Sequence, residues 1–255
     1  MSRFLVTGSS DGIGAGIAAE LESRGHAVVR HARDEAKAAR LRAAGADDVV
    51  VGDLASLAST RAMAADLSAR PPFDVVVHNA GWLPPEGERP VTGDGLERTF
   101  QVNALSAYLL TALLPLPSRL VYVSSNSIRR GRIDLDDLQH EANWTSDSAY
   151  AGSKLAMTAI AFAAARRYPA VLCNAVHPGW IRTKMSGDVA PLDVAAGADT
   201  PVWLATSDDP EATVTGTFFH ERRVVRLNEQ AYDPATQDAL VERCAALTGV
   251  ALPAA

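Results

Sequence analysis

Tyr150 and Lys154, in the run Tyr150-Ala151-Gly152-Ser153-Lys154, carry the chemistry that the rest of the chain has to support. Four residues apart on a helix, they share one face. An ammonium beside a phenol stabilises its ionised form, so the tyrosine pKa is expected to fall from about 10 toward neutrality. A phenol tuned in this way can protonate a carbonyl oxygen or take a proton from a hydroxyl. On its own the pair is weak, because a half-buried Tyr with a solvated Lys recurs on many helices. It gains meaning only if the chain also holds a redox partner.

The first candidate for that partner's site is the glycine turn Gly8-Ser9-Ser10-Asp11-Gly12-Ile13-Gly14. A short apolar strand over residues 3–7 precedes it and a helical pattern over 15–24 follows. Strand, glycine turn and helix in this order suit a dinucleotide pyrophosphate, which the free N–H groups of the helix start can bind. Gly8 permits the tight turn, Gly12 the approach of the phosphates, and Gly14 the close packing of helix on strand. A second strand over 25–33 ends at Ala32 and Arg33, where NAD-binding chains usually carry an acid for the ribose 2′-hydroxyl. A neutral residue followed by Arg suits a 2′-phosphate, so NADP(H) is expected over NAD(H), with Asp34 starting the next helix. Arg30 and His31 either add positive charge there or form a solvated strand end. Asp53-Leu54 ends a third strand, where the Asp caps a helix or meets the adenine. Asn79-Ala80-Gly81 ends a fourth strand over 73–78. Repeated β-α units indicate a parallel sheet whose strand ends hold the ligand.

The bulk properties agree. At 255 residues, 47% hydrophobic and 21% charged, the chain fits one soluble α/β domain. The net charge of −6 argues against a nucleic-acid binder. Cys173 and Cys244 form neither a metal-ligand pattern nor a disulfide framework, which suits reduced thiols in a cytoplasm. No signal peptide and no membrane-length apolar run is expected.

Together, Thr7-Gly8-x-x-x-Gly12-Ile13-Gly14, Asp53-Leu54, Asn79-Ala80-Gly81, Asn103, Ser124-Ser125, Tyr150-x-x-x-Lys154 and Pro178-Gly179 resemble the short-chain dehydrogenase/reductase family, in the family's order and over roughly residues 1–185. His78 departs from it where many members carry a second Asn. The resemblance implies a single Rossmann-type doubly wound α/β domain over 1–255. Its catalytic residues would be Asn103, Ser125, Tyr150 and Lys154: Ser125 orients the substrate oxygen, Lys154 lowers the Tyr150 pKa and holds the nicotinamide ribose, and Asn103 bends its helix (95–114) and holds a water in a proton relay. Cofactor contacts would come from Gly8, Ser10, Asp11, Gly12, Ile13, Gly14, Arg33, Asp53, Leu54, Asn79, Ala80 and Gly81. Pro178, Gly179, Ile181 and Thr183 would cover the nicotinamide, with Ile181 and Thr183 bonding its carboxamide. Ser124 reads as structural. Without a G-x-S-x-G elbow, a serine hydrolase using His177 is disfavoured.

The stretch 126–149 is longer than family members usually show. With the run from Thr200 to Thr206 it resembles the retinol-dehydrogenase-like and protochlorophyllide-reductase-like branch. Trp144 is either a substrate contact or a loop anchor, Trp180 and Met185 either pocket wall or core, with Trp180 the stronger pocket candidate. A lid is expected over 184–200 with Gly187 and Gly197 as hinges. Pairing as a homodimer or homotetramer through helices 156–166 and 189–206 is the family's habit. The expected activity is hydride transfer between NADP(H) and a carbonyl or alcohol substrate, with Tyr150 as general acid/base. The alternatives are a non-catalytic NADP-binding sensor or scaffold and an enone C=C reductase.

Overall fold

The computed structural model describes residues 1–254. Its centre is an eight-stranded sheet in the order β3-β2-β1-β4-β5-β6-β7-β8. The strands are β1 (Arg3–Val6), β2 (Ala27–Ala32), β3 (Asp48–Val51), β4 (Val75–His78), β5 (Arg119–Val123), β6 (Leu172–His177), β7 (Phe218–His220) and β8 (Arg223–Val224). All neighbours are parallel except β7 and β8. The Val-rich runs are buried on both faces, as a parallel sheet covered by helices requires. The helices are α1 (Gly12–Ser23), α2 (Glu35–Ala43), α3 (Leu57–Ser68), α4 (Arg98–Phe100), α5 (Ser106–Leu113), α6 (Ser146–Arg167), α7 (Val194–Thr206) and α8 (Pro234–Thr248). The order reverses between β1 and β4, and the crevice at that switch point is where such a sheet receives ligands.

The expected elements are present within a few residues of their expected ends. Two differences matter for the site. The helix expected over 95–114 starts at Arg98 and passes through a π-helical stretch, Gln101–Leu105, before continuing as α5. Asn103 sits in that stretch, the extra-residue turn by which a helix re-aims side chains at functional positions. The expected lid over 184–200 is loop only as far as Asp193, which caps α7 by accepting from the Ala196 N–H at 2.8 Å. Gly197 is therefore no hinge: a Cβ there would stand 2.8 Å from Ile181 Cγ1, so the glycine lets α7 close on the chain before it. Gly187 does turn with positive φ.

The stretch 126–149 is strapped to the C-terminal part of the chain. Asn228 Nδ2 donates to the carbonyls of Ile128 (2.7 Å) and Gly131 (3.0 Å), and Gln230 bonds both backbone groups of Ile133 at 3.0 Å. α8 packs on α6, whose residues Ala149 and Ala151–Ala165 are buried. The small-residue face of α6 at 156–166, on which pairing was expected, is thus covered by the chain's own last helix.

Candidate active site

The glycine turn is fixed from beneath. Thr7 Oγ1 accepts from the Asn79 and Ala80 N–H groups, both at 3.0 Å, and Asn79 Nδ2 donates to the carbonyls of Thr7 (3.0 Å) and Gly8 (3.2 Å). His31 is buried, its Nδ1 accepting from the Gly8 N–H at 2.8 Å and its Nε2 2.7 Å from the Gly52 carbonyl. That pattern makes it a neutral strut, its pKa lowered by burial, rather than an added charge or a solvated strand end. Arg30 likewise is taken up by Glu22. Gly14 has no room for a side chain, since a Cβ there would meet Asn79 Nδ2 at 2.3 Å and the Gly8 carbonyl oxygen at 2.4 Å.

The start of α1 differs from the other long helices. Asp11 stands at the N-cap but makes no side-chain bond to the first turn. Its carboxylate is drawn outward between Lys37 Nζ and Lys184 Nζ, each at 2.8 Å, which hold its pKa below the usual value despite burial. The first N–H groups of α1 are left without their usual capping oxygen, beside a cleft of about 470 Å³. An uncapped helix N-terminus under a glycine turn fits a diphosphate.

The cleft is lined by most of the expected cofactor residues: Gly8, Ser10, Asp11, Gly12, Ile13 and Gly14 on one loop, then Arg33, Asp53, Leu54, Asn79, Ala80, Gly81, Pro178 and Thr183. Gly179 and Ile181 are not on its wall. Gly179 turns the backbone at φ 101, and the buried Ile181 side chain packs toward α7. Asp53 does not cap α3; Ser56 does, while Asp53 Oδ1 accepts from the Ala55 N–H at 3.0 Å.

Tyr150 lines the same cleft, partly exposed on the first turns of α6, with Lys154 one turn on. The expected pKa fall is absent. Lys154 Nζ lies 5.9 Å from the Tyr150 ring centroid and donates to the Val123 carbonyl at 2.8 Å. Burial raises the Tyr150 pKa, opposed by the Ser125 hydroxyl and by Arg130, so the phenol holds its proton at neutral pH. Burial also pushes Lys154 down to about 8. The spacing of Tyr150 and Lys154 could not show how dry their surroundings are.

Ser125 follows β5 and caps the 3-10 turn Asn126–Arg130, its Oγ accepting from the Ser127 N–H at 3.2 Å. Ser124 Oγ bonds Thr158 Oγ1 at 2.8 Å, which suits its structural reading, although Ser124 is on the cleft wall and Ser125 is not. Asn103 is fully buried. Its Nδ2 donates to the Trp82 carbonyl (3.0 Å) and Ser153 Oγ (2.9 Å), and its Oδ1 accepts from the Trp82 N–H at 2.7 Å. The amide therefore clamps the loop after β4 to α6, with its polar atoms already partnered by protein.

The substrate candidates fare unevenly. Trp144 does not reach the cleft; its Nε1 donates to buried Glu97 at 3.4 Å, so it anchors the loop. Trp180 is 56% exposed and off the cleft wall, whereas Met185 is on it. Sequence reasoning missed Lys37, Trp82, Leu83, Arg98 and Val102, which line the cleft. None belongs to a spaced motif. The only signal was Lys37, one turn after the Asp34 cap on a helix that begins beside Arg33.

Comparison with known proteins agrees with this arrangement. A family model described as enoyl-(acyl carrier protein) reductase matches residues 8–209. The oxidoreductase AN7799 of Emericella nidulans is 37% identical over 263 residues, covering 99% of each chain. Human retinol dehydrogenase 14 is 34% identical over 274 residues, covering 90% of this chain and 81% of that protein. A solved structure of a Mycobacterium paratuberculosis protein superposes with a TM-score of 0.84 at 30% identity, over 99% of this chain and 95% of that one. With its doubly wound sheet and its glycine turn, and with relatives in the retinol-dehydrogenase-like branch, the chain belongs to the short-chain dehydrogenase/reductase family of oxidoreductases.

Proposed function

We propose that the protein is an NADP(H)-dependent reductase of carbonyl compounds, working in the cytoplasm, with Tyr150 as the proton donor. The observation that carries this reading is that Tyr150, with the Ser125 hydroxyl beside it, and Lys154 line the cleft that also holds the glycine turn and the uncapped start of α1. The nicotinamide cofactor supplies the hydride. The α1 N–H groups would hold the diphosphate, and Lys154 Nζ, lying just beneath Gly81, would hold the nicotinamide ribose. Ser125 and Tyr150 hydrogen-bond the substrate oxygen. As negative charge develops there, the Tyr150 proton moves to it, and the neighbouring Lys154 and Arg130 stabilise the phenolate left behind. A phenol that keeps its proton at neutral pH suits reduction, which needs the acid form.

NADP(H) is favoured over NAD(H) by the end of β2. Ala32 stands where an acid would hold a 2′-hydroxyl, and Arg33 and Lys37 line the cleft beside it. The two thiols, free and fully buried, suit a reducing compartment, and among the described residues no helix is long and apolar enough to cross a membrane.

The description of the matched family model keeps reduction of an enone double bond as the second reading. NADPH oxidation against a panel of aldehydes, ketones and quinones tests the proposal, with product analysis on an enone to separate the two. Turnover that disappears in Tyr150→Phe while NADPH still binds supports it. Undiminished turnover in that variant, or no NADPH binding by the wild type, overturns it.

A further inference from the structure

We propose that Arg98 is an anion-binding residue of the substrate cleft and that the substrate bears a carboxylate. The inference rests on the reductase reading and adds a substrate class to it.

The cationic side chains lining the cleft are Arg33, Lys37, Arg98, Lys154 and Lys184. Four have partners. Arg33 pairs with Asp34 at 3.5 Å, Lys37 and Lys184 share Asp11, and Lys154 donates to a carbonyl. The Arg98 side chain makes no hydrogen bond or ion pair among the described residues, although its Nε is buried. The carboxylates nearest in sequence are committed elsewhere. Glu97 accepts from Thr99 Oγ1 (2.7 Å), the Phe100 N–H (2.6 Å) and Trp144. Asp94 accepts from the Leu57 N–H (2.7 Å) and Gln101 Nε2 (2.6 Å).

A guanidinium drawn partly out of water without a counter-charge is costly, so a chain that keeps one facing a cleft has left a place for an anion. The Arg98 guanidinium carbon lies 4.9 Å from the Trp82 ring centroid. Stacking on the indole fixes its plane and leaves N–H edges for a bidentate carboxylate. The wall is continuous with the catalytic end. Asn103 ties Trp82 to Ser153, next to Lys154, and Ser146 Oγ at the start of α6 donates to the Pro84 carbonyl at 2.6 Å. The cofactor's own anionic groups have receptors in the α1 start and in Arg33 and Lys37. Trp82, Leu83, Val102 and Met185 add apolar surface. The fitting ligand is an apolar or aromatic carbonyl compound with an acid group at some remove from the reacting carbon.

The test is binding of 2-naphthoate and of 2-naphthamide to the NADPH-loaded protein by calorimetry, in the wild type, Arg98→Gln and Arg98→Lys, with each variant's melting temperature as the check on folding. Because neither probe is reducible, this readout does not depend on turnover, and a wild type that binds no NADPH would sink the reductase reading separately. A charge-assisted bidentate pair predicts that the wild type prefers the acid by about tenfold or more. That preference should vanish in Arg98→Gln and return in part in Arg98→Lys. Equal binding of acid and amide by the wild type overturns the proposal. So does a preference that survives in folded Arg98→Gln, or a Gln variant that weakens NADPH while leaving the acid preference intact, which would place Arg98 on the cofactor.

Discussion

Replacing Gly14 with alanine separates the packing role of the glycine turn from its binding role. The new methyl would fall 2.3 Å from Asn79 Nδ2 and 2.4 Å from the Gly8 carbonyl oxygen, both within the bonded lattice under the turn. Neither contact is the free end of a flexible chain. Asn79 Nδ2 would have to leave the carbonyls it holds at 3.0 and 3.2 Å. Losing two hydrogen bonds removes about 1–3 kcal/mol, and forcing a methyl into a filled site costs about 1–3 kcal/mol more. The better helix propensity of alanine returns about 1 kcal/mol. The net loss is about 3 kcal/mol, which lowers the melting temperature of a chain this size by roughly 6–12 °C. Gly12→Ala is the contrast. Its methyl meets only the Thr183 side chain, at 3.2 Å, and its φ of 54 strains a non-glycine residue by about 1–2 kcal/mol. Gly12→Ala should therefore melt within a few degrees of the wild type yet bind NADPH much more weakly. Thermal denaturation followed by circular dichroism, with fluorescence titration of NADPH, measures both. A Gly14→Ala protein that melts with the wild type would show that the contacts described under the turn do not hold it.

Three further outcomes are expected. His78 and His177 are pushed down to about 3 and about 4 by burial, so the unfolded chain takes up protons near 6.5 that the folded chain refuses. Stability is then complete above about 6.5 and falls as pH drops toward 4, by a few kcal/mol for each site; urea unfolding from pH 7 to 4.5 should show a flatter profile for His78→Asn, and an unchanged one would refute this. The Arg33→Ala/Lys37→Ala double variant should raise the KM for NADPH about tenfold or more and that for NADH by less than about threefold; equal effects on both would remove the 2′-phosphate assignment. With α8 lying over α6, light scattering should give the single-chain mass of 26.9 kDa, and a stable dimer formed through α6 would contradict that packing.

What the sequence could show was what residue type and local spacing carry. Gly8, Gly12 and Gly14 reveal themselves because only glycine suits that turn, and the Val-rich strands because a doubly covered sheet needs them. Ser125, Tyr150 and Lys154 came from the family pattern; Tyr150 and Lys154 line one cleft, and Ser125 stands beside the phenol without being on the cleft wall. Quantities set by three-dimensional surroundings stayed hidden. The Tyr150 pKa moves up because burial outweighs the Ser125 hydroxyl and Arg130, while Lys154 is turned to Val123. Trp144 left its alternatives open until Glu97 was seen to hold its indole. Gly197 looked like a hinge, since its close approach to Ile181 comes from a packing partner sixteen positions earlier in the chain. Lys37, Trp82 and Arg98 fall in no motif, because their shared cleft exists only once α2, the loop after β4 and α4 are folded together.

The most direct measurement of the central claim uses NADPH carrying deuterium at the transferable position of the nicotinamide, with a ketone that the wild type reduces. One deuterium should appear on the former carbonyl carbon of the alcohol product, and the Tyr150→Phe protein should bind the cofactor with near wild-type affinity but form no labelled alcohol. Label absent from that carbon, or labelled alcohol formed at the wild-type rate without the Tyr150 hydroxyl, would contradict it.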